Sequence, residues 1–281
     1  MTSVPVLQRT ATTSIRVVAI AVGLALVALG CAPEPDPLAT GGGLLTELSD
    51  GAAAAADADG GDTGVDFVAP GSTGPADVLT AVATGAELVA YTEPDAASAV
   101  VTELSSDDGY PLYVMALSTF ADYEAQDDDG WLEVLLPVRP NGSTGWIRVA
   151  DVELYQNRFR IEIDISDHSL TLLERGQEVF TTEVAIGTGD TPTPVGSFFT
   201  TVLYDVPDPE GPYGPHAFAL SGFSEVLTSF NGGDGLIGIH GTNDPSSLGT
   251  DVSHGCIRIP NELITRMAET VPLGTPVDIT A

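Results

Sequence analysis

The chain has 281 residues, 43% of them hydrophobic, which is length for about two domains with buried cores and too apolar for a wholly disordered chain. It carries 40 Asp and Glu against nine Arg and no Lys, for a formal charge of −31. That balance excludes binding to nucleic acid through phosphate neutralisation, and it disfavours anionic membrane surfaces.

The N-terminus presents Arg9 and Arg16, then the apolar run Val17 to Leu29, then Gly30 and Cys31. The run is too short for a membrane span, which needs about 20 residues, and its basic start and small-residue end describe a secretory signal over residues 1–30. Val27 to Cys31 resembles a bacterial lipobox, which implies cleavage before Cys31 and a lipid on its thiol. The expectation is a protein on the outer face of the cytoplasmic membrane, in the cell envelope, anchored at Cys31. An ordinary secreted protein and an uncleaved anchor are the alternatives. Residues 31–76 are dominated by Ala, Gly, Pro and acidic residues, with Phe67 the only aromatic. Such a composition cannot offset its ordering entropy and reads as a flexible acidic tether.

From Asp77 to Leu154 short apolar runs alternate with turn residues. Leu88 to Tyr91, Val100 to Leu104, Leu112 to Leu117, Trp131 to Val138 and Trp146 to Val149 predict five strands. Gly130 to Val134 followed by Gly145 to Val149 resembles the end of a bacterial SH3-like domain, which implies a small β-barrel. Trp131 and Trp146 could line a ligand groove, but packing in the small core is the expectation. The run Asp127 to Asp129 lacks calcium-loop spacing and reads as a solvated turn.

The segment 158–281 begins with strands. Ile161, Ile163 and Ile165 alternate with Glu162 and Asp164, and Leu170 to Leu173, Val179 to Ile186, Phe198 to Tyr204 and Leu236 to Ile239 follow. Gly211 to Pro215 and Asn231 to Gly235 read as loops. One helix is predicted, with Leu263, Ile264, Met267, Ala268 and Val271 on one face, Asn261 as N-cap and Pro272 as the stop. The whole is mainly β, with a helix after the second cysteine.

That cysteine, Cys256, lies near two histidines, His240 and His254. A thiol attacks well only when ionised, and a nearby imidazole supplies that activation, so the set suits acyl transfer. Gly255 lets the backbone approach an acyl carbonyl, and amides there could stabilise an oxyanion. Zinc binding by the same three residues would lack a fourth ligand of ordinary spacing, and no metal or cofactor is expected. His168 and His216 read as structural or surface residues, although His216 could reach substrate from its loop.

Gly238 to Thr242 (GIHGT) and Ser253 to Asn261 (SHGCIRIPN), with Thr191 to Phe198 (TPTPVGSF) upstream, resemble the signature of the YkuD-type L,D-transpeptidases. The resemblance covers most of 158–281. It implies a β-rich catalytic domain that acts on peptidoglycan stem peptides and is inhibited by carbapenem-type β-lactams. Carried over residue by residue, Cys256 is the nucleophile, His240 its base and the Gly241 carbonyl the group that orients the imidazole. His254 shapes the site, the Gly255 and Cys256 amides form an oxyanion hole, and Arg258 and Ser253 contact substrate. The implied product is a 3→3 cross-link made through a thioester. Hydrolysis of the same thioester, as in an L,D-carboxypeptidase, and a wall-binding lipoprotein with an inactive catalytic domain are the rival readings.

Overall fold

The structure, a computed structural model, is described for residues 77–106, 110–125, 130–229 and 234–281 and for the backbone of 65–67. The signal segment, Cys31, almost all of the tether and the Asp127 to Asp129 turn lie outside the described residues.

The fold is mainly β, built on two eight-stranded sheets. The first contains β1 (Val65–Phe67), β2 (Val78–Ala83), β3 (Glu87–Tyr91), β4 (Val100–Ser105), β5 (Tyr113–Thr119), β6 (Trp131–Leu135), β7 (Thr144–Arg148) and β8 (Val152–Asn157). Their order in space is β1-β8-β2-β5-β6-β7-β3-β4. Every second residue faces inward, so Leu79, Ala81, Leu88, Ala90, Val114, Leu132, Val134 and Ile147 form one buried cluster. A short helix, α1 (Phe120–Ala125), follows β5. Thr119 and Asp122 exchange side-chain and backbone hydrogen bonds across its start, and Phe120 drops into the cluster.

The second sheet contains β9 (Phe159–Asp164), β10 (Ser169–Glu174), β11 (Gln177–Glu183), β13 (Gly196–Asp205), β14 (His216–Phe223), β15 (Leu236–His240), β17 (Ile257–Arg258) and β18 (Pro276–Thr280). It runs β11-β10-β9-β18-β13-β14-β15-β17. A parallel pair, β12 (Ile186–Gly187) with β16 (Asp251–Ser253), stands beside it. The helix α2 (Asn261–Thr270) lays Ile264 and Met267, both fully buried, against the cluster made by Ile161, Phe218, Ile239, Ile257 and Val277. Burying each of these side chains contributes about 1.5–3 kcal/mol.

Two expectations are corrected. Pro260, not Asn261, occupies the cap of α2, because the Asn261 side chain is drawn across the fold to accept from the Thr242 amide at 2.8 Å. Trp131 and Trp146 are absent from the module core, since Leu132, Val134 and Ile147 fill the inward positions between them.

The two sheets meet at a small apolar seam of Val78, Met115, Leu135 and the fully buried Phe199. Around it Thr80 donates to the Gly274 carbonyl at 3.1 Å and Asn157 donates to Thr275 Oγ1 at 3.0 Å. Asn141 clasps the Phe223 backbone, donating to its carbonyl at 2.8 Å and accepting from its amide at 2.9 Å.

Candidate active site

Cys256 and His240 come from different parts of the chain and are joined by strand pairing. The parallel register sets Ile239 against Ile257 and His240 against Arg258, so Cys256, one residue before Ile257, lies on the segment alongside the strand that carries His240. Both are buried: His240 is 3% exposed and Cys256, which is in no disulfide among the described residues, is 7% exposed. His240 Nδ1 lies 2.6 Å from the Gly241 carbonyl oxygen. A carbonyl can only accept, so the imidazole carries its proton on Nδ1 and Nε2 is left as the basic nitrogen. Burial pushes the His240 pKa down to about 4, and the Arg258 charge pushes the same way against the opposing pull of the Gly241 carbonyl. At neutral pH His240 is thus an uncharged base.

The turn before Cys256 is pinned from within. Ser253 Oγ accepts from the Gly255 amide at 3.1 Å and donates to the Cys256 carbonyl at 2.6 Å. Ser253 is 2% exposed, and its hydroxyl shapes the turn through these two bonds. The first of these bonds engages the Gly255 amide. Gly255 itself has φ +114°, a conformation that demands glycine, and a Cβ there would also press on the Ile237 side chain, 2.8 Å from its Cδ1. His254 is exposed on the same turn.

Three contributors escaped the sequence reading. Thr193, 4% exposed, donates to the Gly255 carbonyl at 2.9 Å and accepts from the Gly187 amide at 2.9 Å. It ties the TPTP segment to the turn before Cys256. Asn261 holds the turn after His240 through the Thr242 amide. The ring of Tyr213 lies 4.7 Å from that of His240, centroid to centroid, and packs against the imidazole. The Gly211 to Pro215 loop is brought there by Gly214, where a Cβ would meet Asn261 Oδ1 at 2.3 Å.

Arg258 is half-buried, its backbone bonded in both directions to Ala185, and its Nε has no hydrogen-bond partner among the described residues. None of the carboxylates among the described residues is ion-paired with it. His168 bonds Asp251 at 2.7 Å and His216, the first residue of β14 and not a loop residue, bonds Asp205 at 2.9 Å. Among the described residues no group of three His, Cys, Asp or Glu side chains is arranged to hold a metal ion.

The family sequence model of the YkuD L,D-transpeptidase catalytic domain matches residues 158–279. The YkuD protein of Bacillus subtilis (strain 168) is 34% identical over 125 residues, which is 44% of this chain and 68% of that protein. The chain belongs to the YkuD family of L,D-transpeptidases. Its counterpart in Bacillus licheniformis is 38% identical over 122 residues, 43% of this chain and 66% of that protein, so this chain spans about two thirds of these curated relatives. Among solved structures, an L,D-transpeptidase from Mycobacterium tuberculosis H37Rv is 16% identical with a TM-score of 0.39, over 60% of this chain and 90% of that one.

Proposed function

We propose that this YkuD-family protein forms 3→3 peptidoglycan cross-links through a thioester on Cys256. The observation that carries this reading is the buried, uncharged His240, with Nδ1 committed to the Gly241 carbonyl and Nε2 basic, on the strand beside the segment that bears the buried Cys256 thiol. In the first step His240 Nε2 takes the thiol proton as Sγ bonds to the carbonyl carbon of the third residue of a donor tetrapeptide stem. The bond to the terminal D-alanine breaks, and His240 returns the proton to the departing amine. In the second step the side-chain amine of the third residue of another stem attacks the thioester. His240 accepts its proton and passes it to the leaving Sγ, which restores the thiol. Arg258, with an unsatisfied buried Nε, supplies a cation for a stem carboxylate.

A β-lactam carbonyl meets the same thiol, so carbapenem-type compounds acylate Cys256. We further propose that residues 1–31 export and lipid-anchor the chain at Cys31 on the outer face of the cytoplasmic membrane. The tether then lets the catalytic domain reach the wall, and the first sheet acts as an SH3-like module that holds it there.

Mass spectrometry of muropeptides incubated with the full chain tests the reaction. Cross-linked dimer is expected, and it disappears in Cys256→Ala while the fold by circular dichroism is unchanged. Trimmed tripeptide without dimer would replace transfer by L,D-carboxypeptidase hydrolysis, and unchanged substrate would reject both.

A further inference from the structure

Both tryptophans of the chain stand on the outer face of the first sheet. The register pairs Trp131 with Arg148, Glu133 with Trp146 and Tyr91 with Trp146, which puts all five side chains on one face. The intervening residues Ala90, Leu132, Val134 and Ile147 are the buried ones. Tyr91 and Trp131 meet edge to face at 5.5 Å between centroids, and the Arg148 guanidinium lies 5.8 Å from the Trp131 ring and 5.9 Å from the Tyr91 ring. Val100, the strand partner of Tyr91, is 48% exposed and continues the patch. Half-buried aromatics gathered on a solvent face, with an exposed valine beside them, form the kind of contiguous apolar surface that marks a binding site.

The charges around it select the ligand. Residues 85–154 hold 14 acidic residues and two Arg. One of these, Arg139, is engaged at the seam, where it donates to the Ser224 and Asp234 carbonyls at 2.8 and 2.6 Å and lies over the Phe223 ring. Arg148 is exposed and in no ion pair among the described residues, which leaves its donors directed by the aromatic rings it stacks on. The acidic surroundings repel polyanions, while the platform offers flat π-faces and one cationic donor. A neutral pyranose fits both features: its C–H faces stack on the rings and an acetamido carbonyl accepts from the guanidinium.

We infer that Tyr91, Trp131, Trp146 and Arg148 form a binding platform for an uncharged, β-linked N-acetylhexosamine glycan, distinct from the Cys256 site. This deepens the proposed function, on which it rests, by naming what holds the module to the wall. The probe is the tetrasaccharide of N-acetylglucosamine, added to the full chain. Because both tryptophans lie on the platform, intrinsic fluorescence reads occupancy directly. A saturable blue shift is expected, equal at about 50 and about 300 mM NaCl because the ligand carries no charge. Arg148→Ala, at an exposed position, and Tyr91→Ala each weaken binding roughly tenfold, the loss expected for one stacking contact. Neither changes the rate of Cys256 alkylation by iodoacetamide.

Absence of a saturable shift, an unchanged affinity in Arg148→Ala, a response only to free stem tetrapeptide, or a shift that merely follows self-association of the chain would each overturn the platform. Cross-linking without glycan binding rejects this inference alone. Glycan binding without cross-linking rejects the enzymatic reading alone.

Discussion

Lowering the pH from about 7 to about 4 should destabilise this protein through His240 in a way that a single substitution isolates. In the unfolded chain the imidazole has its ordinary value of 6.5, whereas in the fold burial, aided by Arg258, holds it at about 4. The folded pKa is the lower one, so between these values the unfolded state binds a proton that the folded state refuses. The stabilisation associated with the neutral ring is complete above about pH 6.5 and declines as the pH falls towards 4, below which no more is lost. A gap of about 2.5 pKa units at 1.36 kcal/mol each amounts to roughly 3 kcal/mol. His240 is only 3% exposed, so solvent does little to screen that figure.

The carboxylates titrate over an overlapping range and would obscure the effect in the wild type alone. Urea unfolding should therefore be compared between wild type and His240→Gln, whose side chain stays neutral, at several pH values. The carboxylate contributions cancel in the difference. Wild type is expected to lose roughly 3 kcal/mol relative to the variant across this interval. Adding Arg258→Gln to both chains removes the nearby cation, so the lower end of the window should rise while its upper end stays at about 6.5, and the difference lost should shrink. A wild-type minus variant difference that stays flat from about pH 7 to about pH 4 would refute the buried, uncharged imidazole, and with it the assignment of Nε2 as the base.

Two further perturbations follow from the positioning contacts. Thr193→Val keeps the side-chain volume but leaves the Gly187 amide and the Gly255 carbonyl without their shared hydroxyl. It should cost about 1–3 kcal/mol and slow Cys256 alkylation, and Thr193→Ser should restore most of the rate; an equal rate in Thr193→Val would show that the nucleophile turn holds without it. Asn141→Ala deletes both bonds to the Phe223 backbone at the seam between the sheets. Thermal unfolding should register a loss of about 1–3 kcal/mol with the alkylation rate unchanged at room temperature, and a stability equal to wild type would show that the Asn141 clasp adds nothing to the other contacts between the sheets.

What could be read from the sequence depended on how local the governing physics is. The helix α2 was legible because Leu263, Ile264 and Met267 recur at helical spacing, and β9 because Ile161 and Ile163 alternate with polar residues. The strand β14 was hidden, since Ala217 to Gly222 are buried without interruption and give no alternation to detect. The start of α1 was signalled by the spacing of Thr119 and Asp122, a capping pattern that went unread. Thr193, Asn261 and Tyr213 reach the site through contacts distant in sequence, and no local pattern announces such contacts. The tryptophans teach the opposite lesson. Trp131 shares strand parity with Glu133, and Trp146 with Arg148, whereas Leu132, Val134 and Ile147 hold the other parity. A pleated strand cannot bury both sets in one core, so size alone was a poor guide and the charged neighbours already placed both rings on the solvent face.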